Sequence, residues 1–183
     1  MLEKMIILHC APTLAGMKTA NLFNYKFTTE KDLQKELVFA NQELNIKGVY
    51  IEILHIKDNK ALLYVYRKWK LCLDLMNPTS SAILQENGYL STDVKKAIEQ
   101  LKKRIAMSQV FPHEIGLFLG YPVEDVQGFI EQKGKNFKYS GLWKVYHNEN
   151  DTIKLFAKFK KCSEVYARVF ANGRTLTQLT VVA

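Results

Sequence analysis

The sequence predicts an α+β protein, built on a small, largely antiparallel sheet with helices packed against it. Three observations lead there. Strand-like runs occur early at 4–10, as an adjacent pair at 49–56 and 61–67, and late at 175–182. Helical patterns cluster between the pair and the last run, so the chain does not alternate strand and helix as a repeating parallel wind does. No internal repeat, low-complexity tract or Pro/Ser-rich linker divides it, and 183 residues suit a single domain over 1–183.

Residues 4–10 are short and apolar and are followed by the breaker Pro12, which reads as a buried strand with His9 and Cys10 at its C-terminal end. Thr29 then opens a helix that lines up Leu33, Leu37, Ala40 and Leu44 on one face and stops before Gly48. Two β-prone runs flank the turn-like Lys57-Asp58-Asn59-Lys60, which predicts a hairpin. A helix over 68–76 is broken by Asn77-Pro78, and a shorter one over 80–86 ends at Gly88.

Ser91 caps a helix that turns Val94, Ile98, Leu101 and Ile105 toward a core and leaves Lys95, Lys96, Lys102 and Lys103 mostly on the rest of its circumference. Past Phe111-Pro112, two short helices are expected at 113–119 and 123–132, separated by Gly120-Tyr121-Pro122 and closed by Gly134. Residues 142–146 are strand-like. A long helix over 149–171 carries Phe156, Phe159, Cys162, Tyr166 and Val169 until Gly173 stops it, and 175–182 supplies the last strand.

Hydrophobic residues at 48% and charged residues at 24% are ordinary for a soluble globular chain and exclude a disordered one. The opening run Met1 to Leu8 is short for a signal peptide, and no stretch of about 18 apolar residues is available to span a bilayer. The expectation is a cytoplasmic protein with no membrane role. Cys10, Cys72 and Cys162 are odd in number and widely spaced, which argues for reduced thiols over a disulfide framework.

The net charge of +8 arises from 26 basic against 18 acidic residues. Its excess lies beyond residue 60, in Arg67-Lys68-Trp69-Lys70, Lys102-Lys103-Arg104, Lys133 through Lys138, and Lys158 with Lys160-Lys161. Such clusters can attract phosphates or acidic partners, although lysines on solvated helix faces are the simpler reading.

Two segments are dense enough to shape a site: His9-Cys10-Ala11-Pro12-Thr13-Leu14-Ala15-Gly16, and Phe111 through Pro122 with His113-Glu114. Cys10, His113 and Glu114 form the parts list of a thiol nucleophile, an imidazole base and an orienting carboxylate. On a strand, adjacent His9 and Cys10 would point to opposite faces, which makes His113 the better partner for Cys10. The competing reading is a small buried hydrophobe beside a hydrogen-bonded histidine.

Gly16 permits close backbone approach and Lys18 could neutralise a phosphate, but Met17 separates glycine from lysine where a Walker loop needs Gly-Lys-Ser/Thr. His9, Lys18 and Tyr121 are the candidate ligand-binding residues. His9, His55, His113 and His147 never fall three or four residues apart, so no metal site is expected, and the sequence leaves any cofactor unknown. Tyr121, Tyr139, Trp143 and Tyr146 read as core and rim aromatics.

The cadence of residues 113–132 also suits a helix-turn-helix, and an isoelectric point of about 9.3 keeps nucleic acid as an alternative partner. Against it, Glu124 and Asp125 would occupy the first turn of the recognition helix, where phosphates approach, and Gly128 weakens that helix.

His9 to Gly16 with Lys18, the stretch Phe111 to Ile130, and Tyr139 to Tyr146 resemble an uncharacterised bacterial family found in anaerobic Gram-positive species, a domain of unknown function of about this length. The resemblance covers almost the entire chain and implies one full-length unit, with no activity attached. From the residues, the favoured role is small-molecule or protein binding near 9–18 and 111–125. A cysteine-dependent enzyme using Cys10 and His113, and nucleic-acid binding through 113–132, are the alternatives.

Overall fold

Asp58 and Asn59 both adopt left-handed backbone, with φ of 51° and 55°, and so make the two-residue turn that right-twisted hairpins prefer. They join β2 (Val49–Lys57) to β3 (Lys60–Arg67), the hairpin the sequence predicts. A third strand, β1 (Ala20–Lys26), pairs antiparallel with the other side of β3, giving the order β1-β3-β2. The computed structural model describes residues 1–107 and 111–182, which divide into two compact units, 1–70 with 161–183, and 71–160.

In the first unit, one face of the sheet carries Phe23, Tyr25, Val49, Ile51, Ala61, Leu63 and Val65. Against it pack α1 (Leu2–Leu14) and α2 (Glu30–Asn45), the latter capped by Thr29, whose side chain accepts from the Asp32 amide, and burying the four predicted residues. The α+β class is as expected. The strand predicted at 4–10, however, is part of helix α1. Leu2, Ile6, Ile7, Cys10, Ala11 and Leu14 are buried at helical spacing, and a short apolar run satisfies strand and helix patterns alike. Pro12 sits within the helix without breaking it, because the carbonyl its missing N–H would serve belongs to Leu8, on the exposed side.

The strand predicted at 175–182 is also corrected. Thr175 and Gln178 form a reciprocal capping box that starts the short helix α9 (Leu176–Leu179). Beyond it, the Val181 amide donates to the Leu14 carbonyl at 3.0 Å, so the tail ties to α1 without joining the sheet. The sequence reading gave β1 no strand, although Phe23 and Tyr25 alternate with Asn24 and Lys26 at strand period.

Arg67, 1% exposed, closes this unit. Its Nε donates to the Thr13 carbonyl and one terminal nitrogen to the Leu14 carbonyl, both at 2.6 Å, with the Val181 carbonyl at 2.8 Å. The cation thereby satisfies carbonyls that the end of α1 leaves without helical partners.

The second unit holds α4 (Pro78–Glu86), α5 (Val94–Met107), α6 (Ile115–Phe118) and α7 (Val123–Glu131). It also holds a minimal ladder of β4 (Tyr139–Ser140) with β5 (Lys144–Val145), shorter than the strand predicted over 142–146. The cap of α5 is Asp93, whose side chain accepts from the Lys96 amide, while Ser91 accepts from the Asp93 amide one step earlier. Two helices span the unit boundary: α3 (Lys68–Met76) and α8 (Glu149–Ala171), both close to prediction.

Candidate functional site

The predicted site residues fall in different units: His9, Cys10 and Lys18 in the first, His113, Glu114 and Tyr121 in the second. On helix α1, His9 is exposed and stacks on Phe23 with ring centroids 5.1 Å apart, while Cys10 is fully buried. Burial pushes the Cys10 thiol well above its ordinary range, which suppresses the nucleophilic thiolate. The Lys18 amine, also buried, is pushed down to about 7 by loss of hydration, and its Nζ donates to the Ala20 carbonyl.

Glu114 is buried beneath the 111–120 corner. It accepts from the Tyr89 hydroxyl at 3.1 Å and from Arg104 Nε, and Arg104 also donates to the Asn87 carbonyl at 2.8 Å. A buried carboxylate needs such partners. These contacts join the end of α4, the last turn of α5 and the start of α6.

Asp125 occupies the first turn of α7, and its carboxylate is buried under the segment that follows β4. One oxygen accepts from the Tyr146 and His147 amides at 2.7 and 2.9 Å, the other from Trp143 Nε1 at 2.8 Å. Trp143 in turn stacks on Tyr121 at 4.5 Å and meets Phe156 edge-on at 4.5 Å. Two glycines permit this closeness. A Cβ on Gly116 would lie 2.7 Å from Val126 Cγ2, and one on Gly128 would lie 2.6 Å from Tyr146 Cγ.

Packed this way, the segment 111–144 encloses a cavity of about 420 Å³, walled by Phe111, Tyr121, Phe129 and Trp143, with His113 and Lys144 as polar members. The volume lies in the range of small-molecule sites. His113 meets the Phe129 ring edge-on at 5.0 Å. Lys144 Nζ donates to the Gly134 carbonyl at 2.6 Å and stands 4.8 Å from the Phe137 ring centroid and 5.7 Å from that of Phe129. Burial raises the Tyr121 hydroxyl to about 12.

Sequence reasoning placed His113 and Tyr121 near a site but missed Phe129, Lys144 and the role of Asp125. Part of the signal was present, since Trp143 and Val145 alternate with Lys144 as in a half-buried strand. Nothing local indicated that Asp125 would hold it.

A second cavity, of about 570 Å³, lies in the first unit beside Glu3, Glu36, Phe39 and Glu43. Its carboxylates are already engaged. Glu3 accepts from the Leu176 amide, Glu36 from Tyr25 and the Met1 ammonium, and Glu43 from the Thr177 hydroxyl. Among the described residues, no group of three or more His, Cys, Asp or Glu side chains is placed to hold a metal ion, and no helix is long and apolar enough to cross a membrane.

Fold and site together define an α+β protein with an aromatic, lysine-bearing cavity on a short helical corner. The chain belongs to the family described as "Protein of unknown function (DUF3793)", whose sequence profile matches residues 6–180. No curated protein and no solved structure matches it.

Proposed function

We propose that the protein binds a small, largely apolar molecule in the cavity between α6, α7 and the 142–144 segment. The observation that carries this reading is a cavity of about 420 Å³ whose aromatic walls are fixed by a fully hydrogen-bonded buried Asp125. Apolar walls supply burial, and a few placed polar groups supply orientation, the usual division of labour in ligand sites. Phe111 and Leu142, both substantially exposed, border the opening, where an apolar ligand would cover them.

The two alternatives draw less support. Thiol chemistry at Cys10 would require a buried, protonated sulfur to reach substrate. Recognition of nucleic acid through 113–132 would rest on α6, a helix of 4 residues, and on an α7 first turn that presents Glu124 to solvent.

Trp143 is a built-in reporter. In the Trp69→Phe protein it is the remaining indole, so its fluorescence should shift when 2-naphthamide or a similar planar apolar probe enters. A Trp143 signal and melting temperature that stay constant up to millimolar concentrations of neutral and charged planar apolar probes alike would overturn the proposal.

A further inference from the structure

We infer that the ligand is an organic anion: a planar or apolar body carrying one carboxylate, which pairs with Lys144. This rests on the cavity reading above and adds the charge of its occupant. Lys144 is one of the cavity's lining residues, and its Nζ spends one of three protons on the Gly134 carbonyl. No carboxylate among the described residues lies within ion-pairing distance of it. The Phe137 and Phe129 rings fix the ammonium by cation–π attraction, which positions the charge without cancelling it.

The one acidic lining residue, Asp125, turns its oxygens to three internal donors and so has little capacity left for a ligand cation. Outside the cavity the same chain segment carries Lys133, Lys135 and Lys138, all exposed and without ion pairs among the described residues, which adds positive potential. An apolar acid answers both features at once. Its body displaces water from Phe111, Phe129 and Trp143, and its carboxylate takes the remaining ammonium protons in a charge-assisted hydrogen bond. His113, which also lines the cavity and meets the Phe129 ring edge-on, supplies a second polar wall for a substituent on the body.

Calorimetric titration of the full chain with three probes of one shape tests this: 2-naphthoate, 2-naphthamide and 2-naphthylmethylamine. The expected order is acid over amide over amine, with the acid favoured over the amide on the order of tenfold. That preference should collapse in Lys144→Met, which keeps the apolar stem, and be retained in Lys144→Arg, which keeps the charge; a preference that survives Lys144→Met would overturn the inference. Equal affinity for acid and amide, or a preference for the amine, would overturn the anion inference and leave the cavity reading standing. Failure of all three probes to bind at millimolar concentration would overturn both.

Discussion

Asp125 and Trp143 are joined by a buried hydrogen bond of 2.8 Å from the indole N–H to a carboxylate oxygen. It links the first turn of α7 to the wall of the cavity, 18 residues further along the chain. The other carboxylate oxygen collects two backbone amides, so a single side chain holds the whole 143–147 segment. A carboxylate at a helix N-terminus is also stabilised by the helix dipole.

Replacing this anchor should loosen the cavity as well as the fold. Asp125→Ala leaves three donors without an acceptor, and a loss of about 3 kcal/mol is expected from the cost of buried unpaired groups. Trp143→Phe removes one donor and should cost less. A denaturation double-mutant cycle should return a favourable Asp125–Trp143 coupling, and additive effects would mean the bond is not a stabilising contact.

Gly128→Ala sets two effects against each other. Alanine is the better helix former by roughly 0.5–1 kcal/mol, but its Cβ would lie 2.6 Å from Tyr146 Cγ and 2.8 Å from Tyr146 Cβ. Overpacking of this kind costs about 1–3 kcal/mol, so the clash wins. The variant should melt below the native protein, and a rise in melting temperature would contradict the packing described.

Arg67 should be among the least replaceable side chains of the first unit. Arg67→Met removes charge-assisted bonds to the carbonyls of Thr13, Leu14 and Val181 at once, a loss of about 3–5 kcal/mol. Arg67→Lys keeps the charge without the planar fork and should recover only part of it. Hydrogen exchange at the Val181 amide, which bonds Leu14, would report release of the tail.

Lys18 gives the fold a pH dependence whose sign is fixed by burial. Its folded pKa, about 7, lies below the ordinary 10.5, so above pH 7 the unfolded chain binds the extra proton. Stability should therefore rise with pH from about 7 to 8.5, with a slope approaching ~1.4 kcal/mol per pH unit for this one group. The ceiling is set by Cys10, whose ordinary thiol ionises in the unfolded chain near 9.0 and cancels the slope. Urea denaturation across that window should lose the rise in Lys18→Met, and an unchanged slope would assign it elsewhere.

Cys10 should resist alkylation in the native state. Cys72 and Cys162 are half-buried and should react first, so native iodoacetamide treatment is expected to stop at two additions and denaturation to release the third. Rapid labelling of Cys10 at neutral pH would favour the thiol-enzyme alternative.

What the sequence alone determined is local. Thr29 with Leu33, Leu37, Ala40 and Leu44, the turn at Asp58-Asn59, and the helix stopped by Gly173 were legible because caps, turns and one-face periodicity involve residues a few positions apart. The run at 4–10 was not, because a stretch that short does not distinguish period 2 from period 3.6 until a neighbour selects the buried face. Thr175 and Gln178 were local too, and their capping box was a signal the reading passed over. Tertiary structure alone decided the cavity. His113 and Tyr121 lay in a segment dense enough to notice, but the cavity needs Lys144 and Trp143 brought back against α7, and that return is made by hydrogen bonds to Asp125. The physical reason is that a carboxylate's choice of partner is set by which unsatisfied donors the packed chain buries beside it, and sequence spacing does not encode that choice.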